Sequence, residues 1–281
     1  LGGGMIETSG SQSFGGAVNL LADTTLVGDS LALSSGVEGG TKNLVLNFAK
    51  KTSLDGSFAN ITDLTSEGDV SLNGTISTLG NQSYKGNATL SGDTTLEGTS
   101  LALSNGLEGG TKNLVLNFAQ TTSLDGSFAN ITDLTSEGDV SLNGTISTLG
   151  NQVYNAGANL AGDTRLEGSS LSVANVDGQT KNLVLNFAQT TSLDGSFANI
   201  TDLTSEGNVS LNGTISTLGN QVYNAGANLA GDTTLEGSSL SVANVDGQTK
   251  NLVLDFAQTT SLDGNFTNIN NLISEGDVSL N

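Results

Sequence analysis

Asn43-Leu-Val-Leu-Asn-Phe-Ala49 is the stretch on which the fold turns. Leu44, Leu46 and Phe48 alternate with Val45 and Asn47, and Val70 and Leu72 alternate around Ser71. This is the spacing of a β-strand with one buried side. Helical i, i+3, i+4 stripes are absent. Gly-Asp, Asp-Gly and Asn-Gly pairs break the chain every few residues, as turns do, so the strands are short and the turns many.

The same heptapeptide returns at Asn113, Asn182 and Asn251, with Asp255 in place of its second asparagine, at steps of 70, 69 and 69 residues. Four copies, 4–73, 74–143, 144–212 and 213–281, thus fill the chain. The one-residue difference falls between Asn105–Gly110 in one copy and Asn175–Gln179 in the next, which predicts a surface loop there. Inside each copy a leucine followed by an acid or amide and then usually glycine recurs at Leu26, Leu54, Leu72, Leu96, Leu124, Leu142, Leu166, Leu193, Leu211, Leu235, Leu262 and Leu280. Three such sub-repeats make one copy. Short strands recurring about every 23 residues predict a parallel coil in which each turn lies on the one before. About twelve turns at ~4.8 Å each would give a length of roughly 58 Å.

In that coil Leu193 would lie between Leu166 and Leu211, close to Phe197 or Ile215, in a dry interior. Glycines 168, 195 and 213 would form a column of turn residues. No proline occurs, as expected where ladder positions need their N–H groups. A sandwich or barrel of hairpins is the rival fold, and it leaves the leucine column unexplained. The expectation is an all-β chain, 1–281, forming a single β-solenoid.

Composition narrows the function. Eight basic residues against 28 acidic give a net charge of −20, which repels nucleic acid and anionic membranes. With no histidine and no cysteine, histidine-assisted nucleophilic catalysis, nitrogen- or sulfur-ligated metal sites and disulfides are excluded. No run of apolar residues reaches the ~20 that a membrane helix needs. The residues left for chemistry are carboxylates and hydroxyls, and every acidic pair recurs in several copies. A glycosidase needs one cleft with two carboxylates at a set separation, which near-identical repeats do not supply. No enzyme, catalytic residue, cofactor or metal site is therefore expected.

Several recurring features invite a functional reading and a plainer one. Glu97, Asp125, Asn143, Glu167, Asp194, Asn212, Glu236 and Asp263 follow the leucine column. Stacked ~4.8 Å apart, neighbouring carboxylates would repel by roughly 0.9 kcal/mol in water. Calcium could relieve this, but a solvated column of turns is the preferred reading. Asn-x-Ser/Thr sequons begin at Asn60, Asn73, Asn81, Asn87, Asn130, Asn143, Asn199, Asn208, Asn212 and Asn265, and chance accounts for them in a chain rich in asparagine and threonine. Phe14, Tyr84, Tyr154 and Tyr223 are assigned to packing rather than to sugar stacking. Lys42, Lys112, Lys181 and Lys250 are assigned to offsetting local negative charge.

Gly150–Asn155, Asn228–Gly237, Asn182–Phe187 and Ser192–Phe197, read together, resemble the repeats of filamentous-haemagglutinin-like large exoproteins, bacterial surface adhesins exported by two-partner or autotransporter routes. The resemblance spans essentially the whole chain. It implies a right-handed parallel β-helix, an extracellular or cell-surface location and a non-catalytic structural shaft; the three sub-repeats give that helix about three turns per repeat. Such a shaft presents a binding region outside this chain to a host-cell or matrix receptor or to a polysaccharide.

A second expectation comes from phase. Asn281 holds the repeat position of Gly3, and neither end carries a recognisable cap, so the chain could be a subunit of an extracellular filament that self-associates head to tail. A stretch of a longer repetitive polypeptide has the same phase and is the preferred of the two. A ligand-binding or ice-binding rod is disfavoured by the lack of a regular Thr-x-Thr face.

Overall fold

The computed structural model describes residues 1–280; Asn281, on which the phase argument drew, lies outside the described residues. Those residues form 29 β-strands and no helix. The chain divides into two compact units, Leu1–Ser141 and Leu142–Asn281.

In the first unit three files of parallel strands climb side by side. One file runs Thr24, Leu44, Leu64, Gln82, Leu101, Thr122. The second runs Leu31, Thr52, Val70, Ala88, Leu107, Phe128. The third runs Val37, Phe58, Ile76, Leu96, Leu116, Ser136. The chain visits the three in turn, so this unit is a parallel β-solenoid with three strands per turn. The second unit is built alike, with one file running Gln152, Leu171, Thr191, Val209, Ala227, Val245, Phe266. The rival of paired hairpins fails, because every strand pairing described is parallel.

The expected period needs correction. Successive rungs lie 18 to 21 residues apart, as Val70 to Ala88 and Leu31 to Thr52 illustrate. Turns of about 23 residues, three to a copy, are therefore not what the chain makes. From Leu31 three turns up one file pass Thr52, Val70 and Ala88, and two further sides bring the chain to Leu101, the equivalent of Leu31 in the next copy. Leu171 and Leu240 are related in the same way within the second unit. Within each unit a copy thus winds three turns and two of the three sides, and the equivalent residues followed there occupy neighbouring files.

The leucine column is therefore split among files, although its members from Leu26 to Leu262 are all buried. Leu54 lies on Leu72 and Leu193 on Leu211, as expected, and Phe197 lies on Ile215. Leu26, however, meets Leu46, Leu96 lies between Ile76 and Leu116, and the other neighbour of Leu193 is Val173 instead of Leu166. The leucine marker recurs with the copy and its sub-repeats, whereas stacking follows the length of a turn. The interior remains dry and aliphatic: the void between Tyr154, Leu171 and Phe197 holds only about 10 Å³, less than a water needs. Each buried leucine contributes about 1.5–3 kcal/mol.

Two further expectations change in detail. Gly195 lies on Gly213, both with positive φ, but Gly168 pairs with Phe187 in another file and has no positive φ. The one-residue deletion does fall in a turn, where Ser104 and Asn105 are exposed, yet Leu107 and Val176 just beyond are buried strand residues. In the shorter copy the Asn175 carboxamide accepts the Ser196 N–H, at 3.0 Å.

Thr52, Thr122, Thr191 and Thr260 point inward at equivalent positions, and their hydroxyls have no partner. Each is held between apolar rungs, Thr191 between Leu171 and Val209. Thr191→Val, which keeps the branched shape and removes an unsatisfied hydroxyl, is expected to raise unfolding stability by about 1 kcal/mol, measured by urea titration.

Candidate functional site

With its interior closed, the chain has its chemistry on the outward side chains and at the corners. The most regular arrangement is a ladder of alternating carboxylates and amides. The Asp23 carboxylate accepts the Asn43 N–H (2.9 Å), the Asn43 side chain accepts the Asp63 N–H (3.2 Å), Asp63 accepts the Asn81 N–H (2.6 Å), and Asn81 accepts from the Ser100 hydroxyl (2.6 Å). One member comes from each turn. In the next copy Asp93 accepts the Asn113 N–H and Asn113 accepts the Asp133 N–H. In the second unit Asp163, Asp202 and Asp232 accept the N–H groups of Asn182, Asn220 and Asn251.

The ladder satisfies backbone donors at corners where the strand pairing is interrupted, and an amide between two acids keeps like charges two turns apart. Asp232 shows the electrostatic effect. Hydrogen bonds from the Asn251 backbone and side chain, aided by the charge of Lys250, hold its carboxyl below the usual carboxylate range. Lys250 therefore does act on a neighbouring acid, as expected of the recurring lysines.

The predicted acidic column is not continuous. Asp194 lies under Asn212, whose amide nitrogen donates to it at 3.4 Å, and Asp55 holds Asn73 at 2.7 Å. Glu97 lies between Ser77 and Asn117, and Glu167 beside Asn186. Carboxylates adjoin at Glu236 and Asp255, where the fourth copy has exchanged asparagine for aspartate. Among the described residues no group of three or more potential ligands converges on a metal position. Asn212 is boxed in from above by Gly231, where a Cβ would lie 1.9 Å from the Asn212 side-chain oxygen.

The tyrosines are packing residues with a polar task. Tyr84, Tyr154 and Tyr223 are buried, and their hydroxyls donate to the side-chain oxygens of Gln82, Gln152 and Gln221 at 2.9–3.0 Å. Each glutamine nitrogen in turn donates to two backbone carbonyls, those of Ile146 (3.0 Å) and Glu167 (2.7 Å) for Gln152. Burial drives the phenol pKa values of all three far up. In the first copy Phe14 stands in the tyrosine position, and the buried oxygen of Gln12 has no partner.

The sequons are mostly at the surface, but the amide nitrogen that would carry a glycan is engaged in many of them. Asn60, Asn130 and Asn199 adopt left-handed φ of 54–56° and donate to Glu38, Glu108 and Asp177. Asn87 donates to Asp69. Ion pairs link Lys50 to Asp29 and Lys85 to Glu67, each at 2.8 Å, and Arg165 to Glu167; such exposed pairs contribute about 0–1 kcal/mol each. A groove of about 580 Å³ lies along the second unit beside Thr214, Asp232, Thr234, Asn251, Leu272 and Ile273.

Sequence reading missed the carboxylate–amide ladder and the glutamine–tyrosine pairs. The second had a visible signal, Gln-x-Tyr at 82–84, 152–154 and 221–223; the first joins residues 18 to 20 positions apart and needs the register. Compared with known proteins, the chain matches no family model, no curated protein and no solved structure.

Proposed function

We propose that the chain is a stretch of the rigid, non-catalytic shaft of a bacterial extracellular adhesin, which holds a binding region away from the cell. The observation that carries this reading is the in-register parallel stacking within each unit. Backbone hydrogen bonds join every turn to the next, and the corner ladder repeats the tie outside the core. Its winding is right-handed, as parallel crossover connections are in nearly all cases. A net charge of −20 discourages lateral aggregation.

Antibodies raised against the chain are expected to label intact, unpermeabilised producing cells; labelling that appears only after lysis would end the adhesin reading. Removing residues 144–212 is expected to leave receptor binding by the remaining protein unchanged. It should bring the flanking segments closer by about 18 Å, from ~4.8 Å per turn, read by fluorescence energy transfer between labels on either side.

A further inference from the structure

Between 118–152 and 187–221 the second and third copies differ at a single residue, Asp139 against Asn208. That one exchange turns an acid, present also at Asp69 and Asp277, into the first residue of the sequon Asn208-Val209-Ser210. Chance accounts for the tripeptide, but its surroundings set it apart from the other sequons. Val209 is 1% exposed and points into the core, so strand alternation puts Asn208 and Ser210 on the same outward side, the first exposed and the second half-buried.

In the first copy the matching acid is covered. Asn87, one turn on, gives Asp69 both its N–H (2.8 Å) and its side-chain nitrogen (3.1 Å). In the third copy Gly226 holds the place of Asn87, next to Ala227, which pairs with Val209, and brings no side chain over Asn208. Among the described residues none hydrogen-bonds the Asn208 carboxamide. The sequon nitrogens of Asn73, Asn87, Asn199 and Asn212 instead donate to Asp55, Asp69, Asp177 and Asp194. Asn81 is a rung of the corner ladder, its oxygen accepting from Ser100. Asn265 lies in the last described turn, where exposure reflects only the end of the described chain.

We infer that Asn208 is a glycan acceptor, selected by the fold from among the sequons. Its Nδ2 attacks the anomeric carbon of a sugar activated as a nucleotide- or lipid-linked diphosphate. The N–C bond forms, the C–O bond to phosphate breaks, Nδ2 gives up one proton, and the diphosphate carrier leaves. A transferase has to reach the amide and the Ser210 hydroxyl together, which their shared outward side allows. The attached sugar projects into solvent without displacing a core or ladder contact. The inference does not rest on the adhesin reading, because any glycosylating cell that makes this chain meets the same acceptor.

Peptide mapping of the chain from its producing cells tests it. Cleavage after lysine isolates 182–250, which carries Asn199, Asn208 and Asn212. The expected result is sugar on Asn208, with Asn199 and Asn212 bare. A single hexose marks a nucleotide-linked donor, and a preassembled oligosaccharide a lipid-linked one. Asn208→Asp, which restores the residue of the other copies, and Ser210→Ala should each leave this peptide bare. Neither should disturb folding, since both lie on the surface away from the core; the check is the thermal melt of chains made in a host that does not glycosylate. Asp139→Asn, which builds the same tripeptide in the second copy, should gain a sugar. A bare Asn208, sugar on Asn199 or Asn212 in its place, or an Asp139→Asn chain that gains none would each overturn the inference.

Discussion

Gly213→Ala is expected to destabilise the second unit by about 3 kcal/mol or more, the sum of a disfavoured backbone and an overpacked contact. Gly213 has φ of 97° and lies directly on Gly195, so an added Cβ would sit 2.4 Å from the Gly195 carbonyl oxygen. That oxygen belongs to backbone held in the ladder and cannot swing aside. Turns of a solenoid contact only their neighbours, so the loss should be concentrated around residues 193–235 and appear as accelerated amide hydrogen exchange there, together with a lower urea midpoint. Gly16→Ala is the control: its φ is not positive and no atom lies within 4 Å of the added carbon, and no loss is expected. A Gly213→Ala protein as stable as the parent would show that the glycine stack is not held as tightly as its geometry requires.

The second large effect concerns the interior polar pair. Gln152→Leu is close in volume but removes the acceptor of the Tyr154 hydroxyl and the donor to the Ile146 and Glu167 carbonyls. Buried groups left without partners cost about 1–3 kcal/mol each, so a loss of about 3 kcal/mol is expected in urea titration. Tyr154→Phe removes one bond from the same set and should cost about 1–3 kcal/mol. The first copy offers the reverse experiment. Phe14→Tyr returns a hydroxyl to the orphaned oxygen of Gln12 and is expected to stabilise the first unit by about 1 kcal/mol. If Phe14→Tyr gains nothing while Tyr154→Phe loses stability, the first turn does not hold its glutamine as the inner turns do.

Strand identity was legible in the alternation at 44–48, and these residues are indeed buried and half-buried or exposed in turn. Parallel stacking was legible in the repeat itself, and the neighbours Leu193–Leu211 followed from it. What failed was the vertical partner of most other leucines. A conspicuous residue pattern marks the copy, whereas stacking depends on the length of a turn, set by corners whose residue count varies by up to three. Leu96 illustrates this: its sequence context matches Leu72, but the distance along the chain places it on Ile76. The acidic column failed for the same reason, since Asp125 and Glu97 are 28 residues apart, more than any turn spans. The carboxylate–amide ladder contains common residues in unremarkable local settings. Asp63 and Asn81 gain meaning only once the register makes them neighbours.

The advance of three turns and two sides per copy bears on how such a chain can change length over generations. Unequal recombination between near-identical copies inserts or deletes one whole copy, and the seam rejoins rungs in the phase they already had, so no core contact is lost. What changes within a unit is azimuth: a surface determinant one copy beyond the seam is shifted by one side of the coil, and three such events restore its file. Within a unit, then, the number of copies leaves the core stacking unchanged, while the side on which a given residue emerges is counted in threes.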